Sequence, residues 1–124
     1  MKKNAFTLIE LLVVITIIIV ISAVAMVSYA GSGKKARDSR RMADLEKVRL
    51  SLEMIRQVGN TYPVASGGQA TGLVPTYLQA WPTDPKSNSY TYTRDTLYSY
   101  HIDAVMEDLG STNMAGNIYR VTNL

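Results

Sequence analysis

Phe6-Thr7-Leu8-Ile9-Glu10-Leu11-Leu12-Val13-Val14-Ile15, continuing as an apolar run to Ala30, is the stretch that decides the fold. From Leu11 to Ala30 there is no Lys, Arg, Asp, Gly or Pro; Ile and Val dominate, interrupted by Thr16, Ser22 and Ser28. The 25 residues from Phe6 to Ala30 would span about 37 Å as a helix, enough to cross a hydrocarbon core of about 30 Å with some tilt. β-Branched residues are mediocre helix formers in water. In lipid, however, every backbone group must be bonded within the segment, which forces a helix. Glu10 lies one turn inside this segment, where a carboxylate is costly. Two readings stand: Glu10 snorkels to the headgroups, or it waits for a cationic partner inside an assembly.

The junction Lys2-Lys3-Asn4-Ala5-Phe6-Thr7-Leu8-Ile9-Glu10 closely resembles the leader of type IV pilins and pseudopilins, the class III signal peptide. The resemblance implies cleavage between Ala5 and Phe6 by a prepilin peptidase, N-methylation of Phe6 by the same machinery, and an assembly role for Glu10, the fifth residue of the mature chain. One position departs from the family pattern: the residue before the cut is normally Gly, and here it is Ala5. Ala is the next smallest residue, so cleavage is expected to survive.

A conventional export signal is the rival reading. Lys2 and Lys3 would be its basic region, and Ala23-Val24-Ala25 fits the small-residue cleavage pattern, releasing a secreted domain near Met26. The length of the apolar run and the position of Glu10 oppose it.

The 124 residues suffice for an anchor and one small domain. The mean hydropathy near zero averages these two unlike parts. There is no Cys, which excludes disulfides, thiolate metal sites and a Cys nucleophile. The net charge of +3 falls to +1, in side chains, once Lys2 and Lys3 leave with the leader.

After Gly31-Ser32-Gly33, helical signals resume at once, so a continuous helix weakened at this point is expected. Ala36, Ala43, Leu45, Val48, Leu52 and Ile55, with Met42 close by, share one face. Lys34 to Arg56 carries eight basic and four acidic residues between them. These read as a solvated face, with Arg40–Asp44 and Arg49–Glu53 pairs four residues apart. Mixed signs make nucleic acid an unlikely main partner. The basic cluster Lys34–Arg41 argues for a cytoplasmic location and Lys2–Lys3 for the reverse; the leader motif is the more specific and decides. Val58-Gly59-Asn60 should end the helix.

Ala36-Arg37-Asp38-Ser39-Arg40-Arg41-Met42-Ala43-Asp44-Leu45 resembles the second half of the long helix of major pseudopilins and short pilins. Gly59-Asn60-Thr61-Tyr62-Pro63 is similar to their turn after it, and Trp81-Pro82-Thr83-Asp84-Pro85 with Asn88-Ser89-Tyr90-Thr91-Tyr92 to their lead-in to the first strand. Pro63 to Lys86 reads as a loop packed back on the helix, with Trp81 as a core anchor; a ligand-stacking role is the lesser reading of Trp81. Ser89–Thr93 and Thr96–Met106 alternate as strands joined at Arg94-Asp95; Gly110–Asn117 is a polar turn and Ile118–Val121 a third strand. The fold class is α+β: a pilin-like long helix, transmembrane in its first half and amphipathic in its second, on a small antiparallel sheet. The tyrosines read as cross-strand packing, with sugar binding as the lesser alternative. The expected organisation is a leader at 1–5, a transmembrane and filament-core helix at 6–30, its amphipathic continuation at 31–58, and a head at 59–124.

No catalytic residue, cofactor or metal is expected. His101, the single His, has no nucleophile at a recognisable spacing. Major pseudopilins of type II secretion carry a calcium site in their C-terminal region. Its ligand loop is not recognisable here, so Asp103, Glu107 and Asp108 are expected to face solvent.

The function implied by the resemblance is a structural subunit of a type IV pilus-like filament. It would be a homo-oligomer built by pilus or secretion assembly machinery. The subunit sits in the inner membrane with its head outside before joining an extracellular or periplasmic filament. A major pseudopilin of a type II secretion system is the alternative; a membrane-anchored or secreted ligand-binding domain is a third.

Overall fold

A computed structural model describes residues 6–123. Leader residues 1–5, and with them the Ala5 side of the expected cut, lie outside the described residues. The chain divides into two compact units, Met1–Gly33 and Lys34–Leu124. Helix α1 spans Leu8–Gly59. The strands follow as β1 (Ala65–Ser66), β2 (Gln69–Ala70), β3 (Thr91–Arg94), β4 (Tyr100–Val105) and β5 (Ile118–Thr122), with a 3-10 turn at Leu109–Ser111 between the last two.

In the first unit α1 begins at Leu8, so Phe6 and Thr7 precede the helix. Every described side chain from Phe6 to Met26 is exposed. A helix that is apolar and exposed throughout its described residues suits a surrounding of lipid or other protein. It is long and apolar enough to cross a membrane. Gly31, Ser32 and Gly33 are helical, as the resumed periodicity suggests.

In the second unit the buried face of α1 runs through Asp38, Arg41, Leu45, Val48 and Leu52, flanked by Asp44 and Ser51, with Met42 and Ile55 partly buried. This is the i, i+3, i+4 stripe of an amphipathic helix. Its first turn is charged rather than apolar. Ala36 and Ala43, expected on this face, are exposed; the sheet and loops cover the line through Leu45, Val48 and Leu52 instead. The helix ends with Asn60 in the left-handed region at φ 61°. The Asn60 N–H donates to the Arg56 carbonyl at 2.7 Å, so Asn, not Gly59, takes the left-handed capping position.

β3, β4 and β5 form an antiparallel sheet in that order. Tyr92 faces Ile102 and Arg94 faces Tyr100; Ile102 faces Val121 and Ala104 faces Tyr119. The inner face carries Tyr92, Tyr100, Ile102, Ala104 and Val121, which meet Leu45, Val48 and Leu52 of the helix in one core with Tyr62, Leu73, Tyr90 and Met106. Tyr92 and Tyr100 pack across β3 and β4 with rings 5.7 Å apart, as expected, and Tyr62, from outside the sheet, meets Tyr100 edge-on at 4.5 Å.

Three local readings need correction. The β3–β4 connection is Asp95–Ser99, not Arg94-Asp95, because Arg94 pairs with Tyr100. Ser99 closes the loop by accepting from the Asp95 and Thr96 N–H groups at 3.0 and 3.1 Å. The stretch read as loop holds the β1–β2 hairpin, turned by Gly67 (φ 58°) and Gly68 (φ 78°). Positive φ at both central residues is the primed turn that matches strand twist. Trp81 is half-buried against the core rather than enclosed in it.

Candidate functional site

Two groups of polar residues stand out, one in each unit. At the start of α1, Thr7 and Glu10 cap the helix reciprocally. Glu10 Oε2 accepts from the Thr7 N–H at 3.0 Å and from the Thr7 hydroxyl at 2.8 Å, while the Glu10 N–H donates to Thr7 Oγ1 at 3.3 Å. This is a capping box, Thr-x-x-Glu, in which each side chain satisfies a backbone donor that the first helical turn leaves open. The Glu10 carboxylate uses only Oε2 in these bonds; Oε1 makes none among the described residues. Phe6 stands beside it, 80 % exposed. The structure therefore places Phe6 and Glu10 together at one end of the apolar helix. It also adds a local role for Glu10 that neither sequence reading contained, although the spacing of Thr7 and Glu10 carries the signal.

In the second unit Arg41 is fully buried. Its guanidinium grips Asp84 through Nε and Nη2, while Nη1 donates to Asp38 at 2.6 Å and to Glu107 at 3.0 Å. Arg37 holds Glu107 by two bonds of 2.6 and 2.7 Å, and Lys86 reaches it at 3.1 Å. Asp38 accepts from the backbone N–H groups of Glu107 and Asp108, the latter at 2.8 Å. Asp84 accepts from the Lys86 N–H at 2.7 Å. Three cations and three carboxylates thus balance around Arg41. They tie the helix (Arg37, Asp38, Arg41) to the loop before β3 (Asp84, Lys86) and to the turn after β4 (Glu107, Asp108).

Burial is tolerable here because every charge is paired and bonded. Arg41 holds the Asp84 carboxyl below its ordinary range, against the opposing effect of burial. Arg37 does the same for Glu107, helped by Lys86 and Arg41. Burial pushes the Asp38 carboxyl up, but the Glu107 and Asp108 N–H groups and Arg41 outweigh it and leave it lowered. Asp84 and its partners raise Arg41.

The expectation that the charged residues of the helix form a solvated face fails for Asp38, Arg41 and Asp44, all buried. The acids in and after β4, Asp103, Glu107 and Asp108, are half-buried rather than solvent-facing. Glu107 is in the cluster, Asp108 accepts from the Gly110 N–H at 3.2 Å, and Asp103 clasps Arg120 across the β4–β5 pair at 2.6 and 2.7 Å. Arg49 pairs with Glu46 rather than Glu53, which binds the Tyr62 hydroxyl at 2.7 Å. Arg40 does reach Asp44, at 3.9 Å. His101 lies 2.9 Å from Asp95. Among the described residues no three His, Asp or Glu side chains converge as a metal site. The cluster is a clamp with no free nucleophile or base.

Residues 1–26 match the family model of the prokaryotic N-terminal methylation motif. The chain has a prepilin-type N-terminus. It is similar to the type II secretion system core protein G of Escherichia coli K12, at 28% identity over 72% of this chain and 70% of that protein. The core protein G of Vibrio cholerae is 26% identical over 73% and 70%. That of Aeromonas hydrophila is 24% identical over 91% and 94%. No solved structure gives a significant match. With its long N-terminal helix and small antiparallel sheets, the chain is pilin-like in architecture as well as in its N-terminal motif.

Proposed function

We propose that this protein is a structural subunit of a pilus-like filament. One conjunction carries the reading: the methylation motif opens onto a helix that is apolar and exposed on every side. Such a surface requires a permanent covering. Lipid supplies it before assembly, and the helices of other copies supply it afterwards; Ala23, Ala25 and Ser22 permit close approach between helices. A prepilin peptidase removes Met1–Ala5 on the cytoplasmic side, and Phe6 is methylated. The mature chain stays in the inner membrane with its head outside until the assembly machinery draws it into the filament. There the Phe6 amine of an incoming copy pairs with Glu10 of a neighbour, offsetting the burial of both charges and setting the axial register.

The relatives favour one form of this reading, a major pseudopilin of a type II secretion system whose filament stays in the periplasm. Mass spectrometry of the mature protein tests the common part. A chain starting at Phe6 and heavier by one methyl group supports it, and a chain starting near Met26 contradicts it. Immunogold microscopy of sheared surface fibres, with a secretion assay on a deletion strain, separates the two forms.

A further inference from the structure

The head carries a cavity of about 240 Å³ that neither the filament reading nor the buried clamp uses. Trp81-Pro82, the Gly67-Gly68 turn and Tyr90 are among the residues lining it. All three parts are fixed from behind. The Gly68 carbonyl accepts from the Tyr92 N–H at 2.8 Å, which ties the turn to β3. Asp84, three residues after Trp81, is locked to Arg41. The buried Tyr90 hydroxyl donates to Asp44 at 3.3 Å. The cavity is therefore held open by rigid neighbours, which lowers the ordering cost of binding.

Its chemistry is selective. Gln69, Thr83, Asn88, Ser89 and Thr91 also line it, and none of their side chains makes a hydrogen bond among the described residues. The Trp81 indole N–H has no partner among them either. No charged side chain lines the cavity. A ligand here meets an indole, several neutral donors and acceptors, and no ion to pair with. Gly67 adds no side chain to the wall, and its Cβ position is open space. The volume is below the usual range of about 300–1,000 Å³ for drug-sized ligands.

We propose that this cavity is a glycan-binding site that takes one neutral pyranose ring, its apolar face against Trp81 and its hydroxyls on the amide and hydroxyl side chains of the rim. Phosphorylated and acidic ligands are disfavoured because no cation lines the cavity. A lipid tail is disfavoured because the rim would leave its polar groups unpaired.

Trp81 is the single Trp of the chain, so its fluorescence reports the site alone. The full chain, held in micelles of a zwitterionic detergent without a sugar headgroup, is titrated with the methyl glycosides of glucose, galactose, mannose and N-acetylglucosamine, and with methyl glucuronide. At least one neutral glycoside should give a saturable change in emission, and the glucuronide should bind more weakly than its glucose counterpart. The double variant Gln69→Ala/Asn88→Ala removes side chains that hold nothing else together, so it should melt like the parent. It should bind about five- to tenfold more weakly or not at all. A flat or non-saturable response to all the neutral glycosides overturns the proposal. So does undiminished binding by the double variant.

Discussion

Arg41 and Asp84 are joined by two parallel hydrogen bonds, Nε to Oδ2 and Nη2 to Oδ1, with neither side chain open to solvent. This fork joins the helix to the loop 43 residues away in sequence and leaves no room for independent movement of either. Removing one partner strands the other as a buried charge, which costs about 3–5 kcal/mol. Arg41→Ala and Asp84→Ala should each lower the melting temperature of the full chain in micelles sharply. The double variant should fall short of the sum of the two. Additive losses would mean that the pair is not coupled.

The same cluster sets an acid limit. Asp38, Asp84 and Glu107 have lowered folded-state pKa values. Their stabilisation is therefore complete above the unfolded values of about 4 and is lost as pH falls through the lower folded values. Melting temperature should be level from neutral pH to about 5 and fall steadily below about 4. Asp38→Asn/Asp84→Asn should flatten that fall. A chain that gains stability on acidification would contradict the charge balance.

Tyr100 offers a test of opposite sign. Its hydroxyl is buried and has no partner among the described residues, whereas the Tyr92 hydroxyl donates to the Pro63 carbonyl at 2.8 Å. Tyr100→Phe should be neutral or stabilising by up to about 1 kcal/mol, and Tyr92→Phe destabilising by about 1 kcal/mol. Thermal melts of the two variants side by side decide it; a loss at Tyr100 matching that at Tyr92 would show a missed partner.

Processing is testable at Ala5. Ala5→Gly, which restores the usual residue of the leaders this N-terminus resembles, should be cleaved at least as well as the parent, and Ala5→Leu should accumulate uncleaved. Mature protein from Ala5→Leu starting at Phe6 would place the recognition elsewhere.

Much of the architecture was legible because period and composition agree. The apolar run to Ala30, the stripe through Leu45, Val48 and Leu52, and the alternation through Tyr100, Ile102 and Ala104 each read as they fold. The buried clamp was not legible. Asp38 and Arg41 continue that same helical stripe one turn earlier, but a charge on an apolar face looks solvated until its partners at Asp84 and Glu107 are brought to it by the fold. The Gly67-Gly68 hairpin was readable from its two glycines between short polar strands, yet was hidden within a proline-rich loop. The size of Trp81 suits a core, but it lies at the edge of the core and lines the cavity. Trp81→Ala should therefore cost less than the roughly 3–5 kcal/mol of a fully buried aromatic.

The capping box sharpens the test of Glu10. Loss of Glu10 could weaken assembly either by uncapping the helix or by removing a charge. Gln serves at this position of a capping box as Glu does, so Glu10→Gln keeps the cap with Thr7 and loses only the charge. Glu10→Ala loses both, and Glu10→Asp should be intermediate. The decisive measurement is the ratio of sheared filament to membrane-held mature subunit for Glu10→Gln, with insertion and cleavage confirmed by mass spectrometry. Charge pairing with the Phe6 amine of a neighbour requires that ratio to collapse as far as it does for Glu10→Ala. A normal filament yield from Glu10→Gln would contradict the pairing and leave Glu10 as a helix cap alone.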